Sequence, residues 1–223
     1  MKCFTNLTYK IRGFTLVEMA IVLVVVGLLV SAFLTPLRMQ IELRNNSETQ
    51  ASLLEIRDAL IGYALSHNAL DGRPFLPCPD TDGDGVENRV GNLCNLSEGN
   101  LPFIDLGLAN IDSWNNRFRY RVTQAFANSQ TGFTLTANGD ITVQDAALGN
   151  AVGLALPAII ISMGENGATF PVVGADQLEN VNGDTTFVSK EISESAINPF
   201  DDLVIWVSSN TLMNRMVAAG RLP

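Results

Sequence analysis

The sequence predicts an α+β fold, with one long N-terminal helix packed on an antiparallel β-sheet and a short helix at the C-terminus. Three observations carry this. A nearly uninterrupted apolar run opens the chain, and a stripe of apolar residues at three- and four-residue spacing follows it. From Asp71 the composition shifts to Gly, Pro, Asn and Asp, which punctuate short strand-like runs. Apolar residues make up 47% of the 223 positions and charged residues only 17%, enough to fill a packed core and too apolar for a disordered chain.

Residues 1–13, MKCFTNLTYKIRG, contain Lys2, Lys10 and Arg12 and no acid. Basic residues ahead of an apolar segment favour retention of that end in the cytoplasm. The formal net charge is -9, so the acidic remainder is expected on the far side of a membrane. The same charge argues against general nucleic-acid binding, which needs a basic face. Phe14 to Leu37 is about long enough to span roughly 30 Å of hydrocarbon. One carboxylate, Glu18, interrupts it, and a charge at a helix centre in lipid costs roughly 2.5–3.5 kcal/mol on insertion scales. A residue so placed is expected to meet a partner. An ordinary secretory signal cut near Ser31-Ala32 leaves Glu18 without purpose. A plain anchor helix leaves both Glu18 and the Gly13-Phe14 junction unexplained.

The helix is expected over about 14–66, membrane-embedded through 37 and amphipathic within 38–70. Gly27 and Pro36 are its weak points. Beyond them Leu53, Ile56, Leu60 and Ala64 form one apolar stripe, with Arg44, Glu48, Glu55, Arg57 and Asp58 on other faces. Residues 71–223 form the exported globular part. RFRYRV (117–122) alternates as a half-buried strand, and Phe133, Leu135, Asn138-Gly139, Ile141 and Val143 read as a hairpin. Leu156 to Met163 suits a central strand. DDLVIWVS is another strand, with Trp206 in the core. Ser208, Ser209 or Asn210 caps a terminal helix that stops at Gly220.

Chemistry is sparse. Asp80-Thr81-Asp82-Gly83-Asp84-Gly85-Val86-Glu87 has alternating carboxylates at the spacing of the first half of an EF-hand loop. Its twelfth position is Gly91 and not Glu, so Glu87 would have to close a site for calcium. A solvated acidic turn is the plainer reading. His67 is the only histidine and suits a polar helix end. No Ser/His/Asp set, zinc set or phosphate loop stands out, so neither enzymatic activity nor a required cofactor is expected. Arg117, Arg119 and Arg121 share one strand face, either as an anion patch or as a solvated surface.

The stretch GFTLVEMAIVLVVVGLL closely resembles the N-terminal signature of type IV prepilins and type II secretion pseudopilins. The resemblance implies cleavage by a prepilin peptidase between Gly13 and Phe14, removing a leader of residues 1–13, and methylation of the new amine at Phe14. Glu18 then becomes the fifth mature residue, the family's glutamate, and a counter-charge for that amine or for a neighbouring subunit's. Gly27 and Pro36 mark a region that can unwind in filaments of this family. Of the three cysteines, Cys3 leaves with the leader, and Cys78 and Cys94 are expected to form a disulfide in the exported part; two unrelated thiols are the alternative.

Within the globular part, LPCPDTDGDGVE, GNLPFIDLGL and AIIISMGENG resemble pieces of pilin-like proteins, and DSWNNRFRY resembles the Asp-x-Trp-Gly-Asn-x-(Phe/Tyr) segment of major pseudopilins, with Asn115 standing where glycine is usual. The resemblance implies the pilin fold and a filament subunit, with a minor type IV pilin favoured. A type II secretion pseudopilin is the alternative, and a non-polymerising membrane-anchored binding domain is another of a different class. The implied partners are prepilin peptidase, other pilin or pseudopilin subunits, an inner-membrane assembly platform and the lipid bilayer. The implied location is the bacterial inner membrane, N-terminus cytoplasmic and domain periplasmic, or outside the cell within a pilus.

Overall fold

The computed structural model describes residues 13–167 and 174–223, with residues 32–37 described by their backbone alone. The chain divides into two compact units, one ending at Arg44 and the other Asn45–Pro223. Helix α1 (Leu16–Ser66) is continuous through Gly27 and Pro36. Among the described residues no helix is long and apolar enough to cross a membrane. The side chains of 32–37, which complete the expected span 14–37, lie outside the described set.

In the second unit β1 (Arg89–Val90) and β2 (Leu93–Cys94) form a small ribbon. They are followed by β3 (Glu98–Asn100), α2 (Phe103–Leu106), β4 (Arg119–Val122), α3 (Gln124–Ala127), β5 (Ile141–Gln144) and β6 (Ala151–Leu156). The chain closes with β7 (Ala158–Ser162), α4 (Ala175–Glu179), β8 (Thr186–Val188), β9 (Leu203–Val207) and α5 (Ser209–Ala218). The main sheet is antiparallel in the order β3-β4-β7-β9, and a smaller sheet runs β6-β5-β8.

Alternation places the core. Along β7, Ala158 and Ile160 face one cluster with Leu53, Ile56, Leu60 and Ala64 of α1, while Ile159 and Ile161 face Ile141, Val143 and Phe187 of the smaller sheet. A strand buried on both faces has no polar side to show, which is why its sequence reads as one apolar run. The arrangement is helix, sheet, sheet. Val204 and Trp206 of β9 pack toward the smaller sheet, and Leu203, Ile205 and Val207 toward the helix. Full burial of each Leu or Ile contributes about 1.5–3 kcal/mol, so the α1 stripe is a principal anchor of this unit.

Two expectations are corrected. Residues 133–135 form no strand: Phe133 is buried against Phe126, with ring centroids 5.1 Å apart, and its N–H donates to Pro74 O. The hairpin lies one step later, β5 to β6, where the Asp145 carboxylate accepts from the Asn150 N–H at 2.8 Å. Gly139 serves a close approach instead of a hairpin turn, since a Cβ there would lie 2.1 Å from Leu156 O. The sheets are also not wholly antiparallel, because β5 pairs in parallel with β8. At α5 the Ser208 hydroxyl accepts from Thr211 N–H at 3.2 Å, and Gly220 ends the helix at φ 67°.

Candidate functional site

The N-terminal junction is built from the start of α1. Gly13, Phe14 and Thr15 precede the helix in irregular backbone, and a Cβ at Gly13 would meet nothing within 4 Å. Phe14 is 80% exposed. The Gly13–Phe14 peptide is therefore accessible backbone outside the helical ladder, as proteolysis requires. Thr15 caps the helix, and Glu18 closes the cap reciprocally. The Glu18 Oε2 accepts from both the N–H and the hydroxyl of Thr15 at 2.8 Å, and the Thr15 Oγ1 accepts from Glu18 N–H at 3.2 Å. This capping box satisfies helix-terminal donors and holds the carboxylate at the positive end of the helix. Its signal, threonine three residues ahead of glutamate, stands in the sequence as T-L-V-E. Glu18 Oε1 has no partner among the described residues. On either side of it Leu16, Val17, Ile21, Leu23 and Val24 are all exposed.

Cys78 and Cys94 are joined, their Cα atoms 5.2 Å apart, and both are buried. The bridge closes the loop that contains the acidic run. There Asp80, Asp82 and Asp84 present carboxylate oxygens within 4.8 Å of one another. Each also holds the backbone: Asp80 Oδ1 accepts from Asp82 and Gly83 N–H, and its Oδ2 from Gly85 N–H. Glu87 is not brought to this group. Its carboxylate accepts from Cys78 N–H at 2.7 Å, from Tyr63 OH at 3.3 Å and from Arg89 at 2.8 Å. Among the described residues three carboxylates thus meet at one point, and Glu87, expected to close a calcium shell, is held elsewhere.

The arginines do not form an open anion patch. Arg119 and Arg121 both pair with Glu98 across the β3–β4 ladder, where Glu98 sits opposite Arg121. Arg117 lies at Gly83 O, 3.5 Å away. His67 stacks on Tyr63 with ring centroids 3.8 Å apart, and its Nδ1 lies 3.0 Å from Ser66 Oγ. Burial and the nearby Glu87 charge push the Tyr63 phenol up, so it stays a donor to that carboxylate. Asn115 adopts φ 67°, the left-handed conformation a glycine would supply, while Asp112 Oδ1 accepts from the N–H groups of Trp114 and Asn116. Asparagine tolerates that region better than most residues, so the turn survives the change.

The N-terminal unit is thus an apolar helix with a capped first turn, preceded by exposed backbone at Gly13 and Phe14. Residues 9–34 match the prokaryotic N-terminal methylation motif, the signature of type IV pilin and pseudopilin precursors. No curated protein and no solved structure matches the chain. The motif implies processing by prepilin peptidase and assembly with other pilin subunits.

Proposed function

We propose that this chain is a minor type IV pilin, anchored in the inner membrane through residues 14–37, cut after Gly13, methylated at Phe14 and assembled into a pilus through α1. The observation that carries the reading is the Thr15–Glu18 capping box beside the cleavage junction, at the head of an exposed apolar helix. Glu18 uses Oε2 for its own cap. Its other oxygen is left to meet the charged amine of Phe14, from the same copy or a neighbour. Two charges in a low-dielectric environment are stable only when paired and hydrogen-bonded, so a slipped register is penalised twice. Methylation keeps the amine charged and the pair intact.

The role is assembly and not catalysis. The size of the exported part favours a minor subunit over the main building block. The resemblance of DSWNNRFRY to a major pseudopilin segment favours the second reading, a type II secretion pseudopilin. Calcium, if taken up, would sit on Asp80, Asp82 and Asp84, and no cofactor is required for assembly. The test is Glu18→Ala, expected to be inserted and cleaved normally but depleted at least tenfold from sheared filaments. Normal incorporation of the variant refutes the register role.

A further inference from the structure

A sheet edge left bare is a template for another chain, and folded proteins block such edges. Of the four edges in the two larger sheets, three are managed here. Asp80 and Asn100 exchange hydrogen bonds of 3.0 and 2.8 Å along the outside of β3. Asn180 clamps Val188 of β8, accepting from its N–H at 2.7 Å and donating to its carbonyl at 3.1 Å. β6 is distorted by two register shifts. β9 has none of these devices. Its residues, LVIWV, carry no charge, and its five pairs with β7 are in regular register. Among the described residues no hydrogen bond reaches its outer edge.

That edge opens on a cleft of about 440 Å3, lined by Gln50, Arg57 and Ile61 of α1 and by Trp206 and Thr211. At one end it runs into a hollow of about 330 Å3 that contains Arg57, Asp58 and Arg215. Arg57 is paired with Asp58 at 2.9 Å, whereas the exposed Arg215 guanidinium has no partner among the described residues. The cleft end is therefore locally basic on a chain of net charge -9.

The same unit carries a complementary projection. Residues 191–197, EISESAI, run between the Lys190–Asp176 ion pair and the Asn198–Asp176 hydrogen bond, tied back at Ser193, which exchanges backbone hydrogen bonds of 2.8 Å with Phe200, and exposed on either side of it. Glu191 and Glu194 are exposed without partners among the described residues, Ile197 is 89% exposed, and Ile192 is also exposed. An isoleucine held out in water next to two unpaired carboxylates matches a cleft that has an apolar wall and an unpaired arginine.

We propose that the 191–197 loop of one copy of this chain docks in the cleft between α1 and β9 of the next, with Glu191 or Glu194 meeting Arg215 and Ile197 meeting the apolar wall beside the bare β9 edge. Cleft and loop are built from different residues, so the contact is heterologous, and it propagates as an open helical array where its rotation does not close into a ring. The inference rests on the filament reading, since only an array brings copies together continuously.

The test uses the full chain with Gln50→Cys and Ser195→Cys, co-expressed with prepilin peptidase and oxidised in the membrane. The expected result is a ladder of disulfide-linked multimers on non-reducing gels. Adding Arg215→Glu should reduce the ladder at least tenfold, and Glu194→Arg with Glu191→Arg in that background should restore it. Absence of the ladder, or a ladder indifferent to both charge changes, overturns the proposal. A chain cut after Gly13 and recovered in filaments without the ladder overturns this contact alone. A chain never cut overturns the prepilin reading, and the cross-link is then read on the detergent-extracted protein, where a charge-sensitive ladder still supports the contact and its absence refutes it.

Discussion

Asp202 gives the domain a stability that falls with rising pH. It is 2% exposed, its Oδ2 accepts from Asn180 Nδ2 at 2.7 Å, and its Oδ1 has no partner among the described residues. Burial, reinforced by the neighbouring Asp201 charge and opposed by the Asn180 hydrogen bond and Arg119, pushes its carboxyl up from 3.8 to about 7. A carboxyl raised in the folded state binds its proton more tightly there than in the unfolded chain. Its contribution is therefore most favourable at low pH and is lost between about pH 4 and 7. At 1.36 kcal/mol per pH unit this amounts to about 4 kcal/mol at most. Asp202→Asn removes the ionisation, so the variant should gain about 3 kcal/mol over the parent on going from pH 5 to pH 8. For a chain of this size that corresponds to roughly 6–12 °C in Tm. Thermal melts of the detergent-extracted protein at pH 5, 6.5 and 8 read this directly. Asp201 and Glu179, both also raised by burial, leave a residual slope of the same sign. Parent and variant curves that stay parallel across the range would refute the reasoning.

Two further outcomes follow from the Cys78–Glu87 region. Replacing Cys78 and Cys94 together by serine opens a 16-residue separation and should cost about 3 kcal/mol, visible as a lower urea midpoint with the fold retained. Because three backbone N–H groups already satisfy Asp80, the loop should keep its shape without a cation. EDTA should therefore leave the melting temperature unchanged, whereas a fall of several degrees restored by calcium would show that the three carboxylates form a working site.

What the sequence disclosed depended on how local the cause was. α1, β7, β9 and α5 were legible because each is specified by its own apolar pattern and caps. The 133–143 hairpin was misplaced because Phe133 alternates correctly with Leu135 yet is taken by the pocket beside Phe126, a preference no local pattern records. The parallel β5–β8 pair joins segments more than forty residues apart, and such register appears only once the core is assembled. At the N-terminus, Gly13, Phe14 and Glu18 were singled out through their resemblance to a family signature, whereas the capping box is written locally in T-L-V-E, threonine three residues ahead of glutamate. Glu87 was drawn into the acidic loop by proximity in sequence. Arg89, two residues away, and the Cys78 N–H hold it elsewhere. The pairing of Arg119 and Arg121 with Glu98 depends on strand register and was invisible from residues 117–122 alone.

The most direct test of the account is the N-terminal mass of the membrane-extracted chain, made with and without a prepilin peptidase. The account predicts a chain beginning at Phe14 with one added methyl group only when the peptidase is present, and an intact Met1 chain without it. A chain that stays uncut with the peptidase, or one cut near Ala32 in both cases, would contradict it.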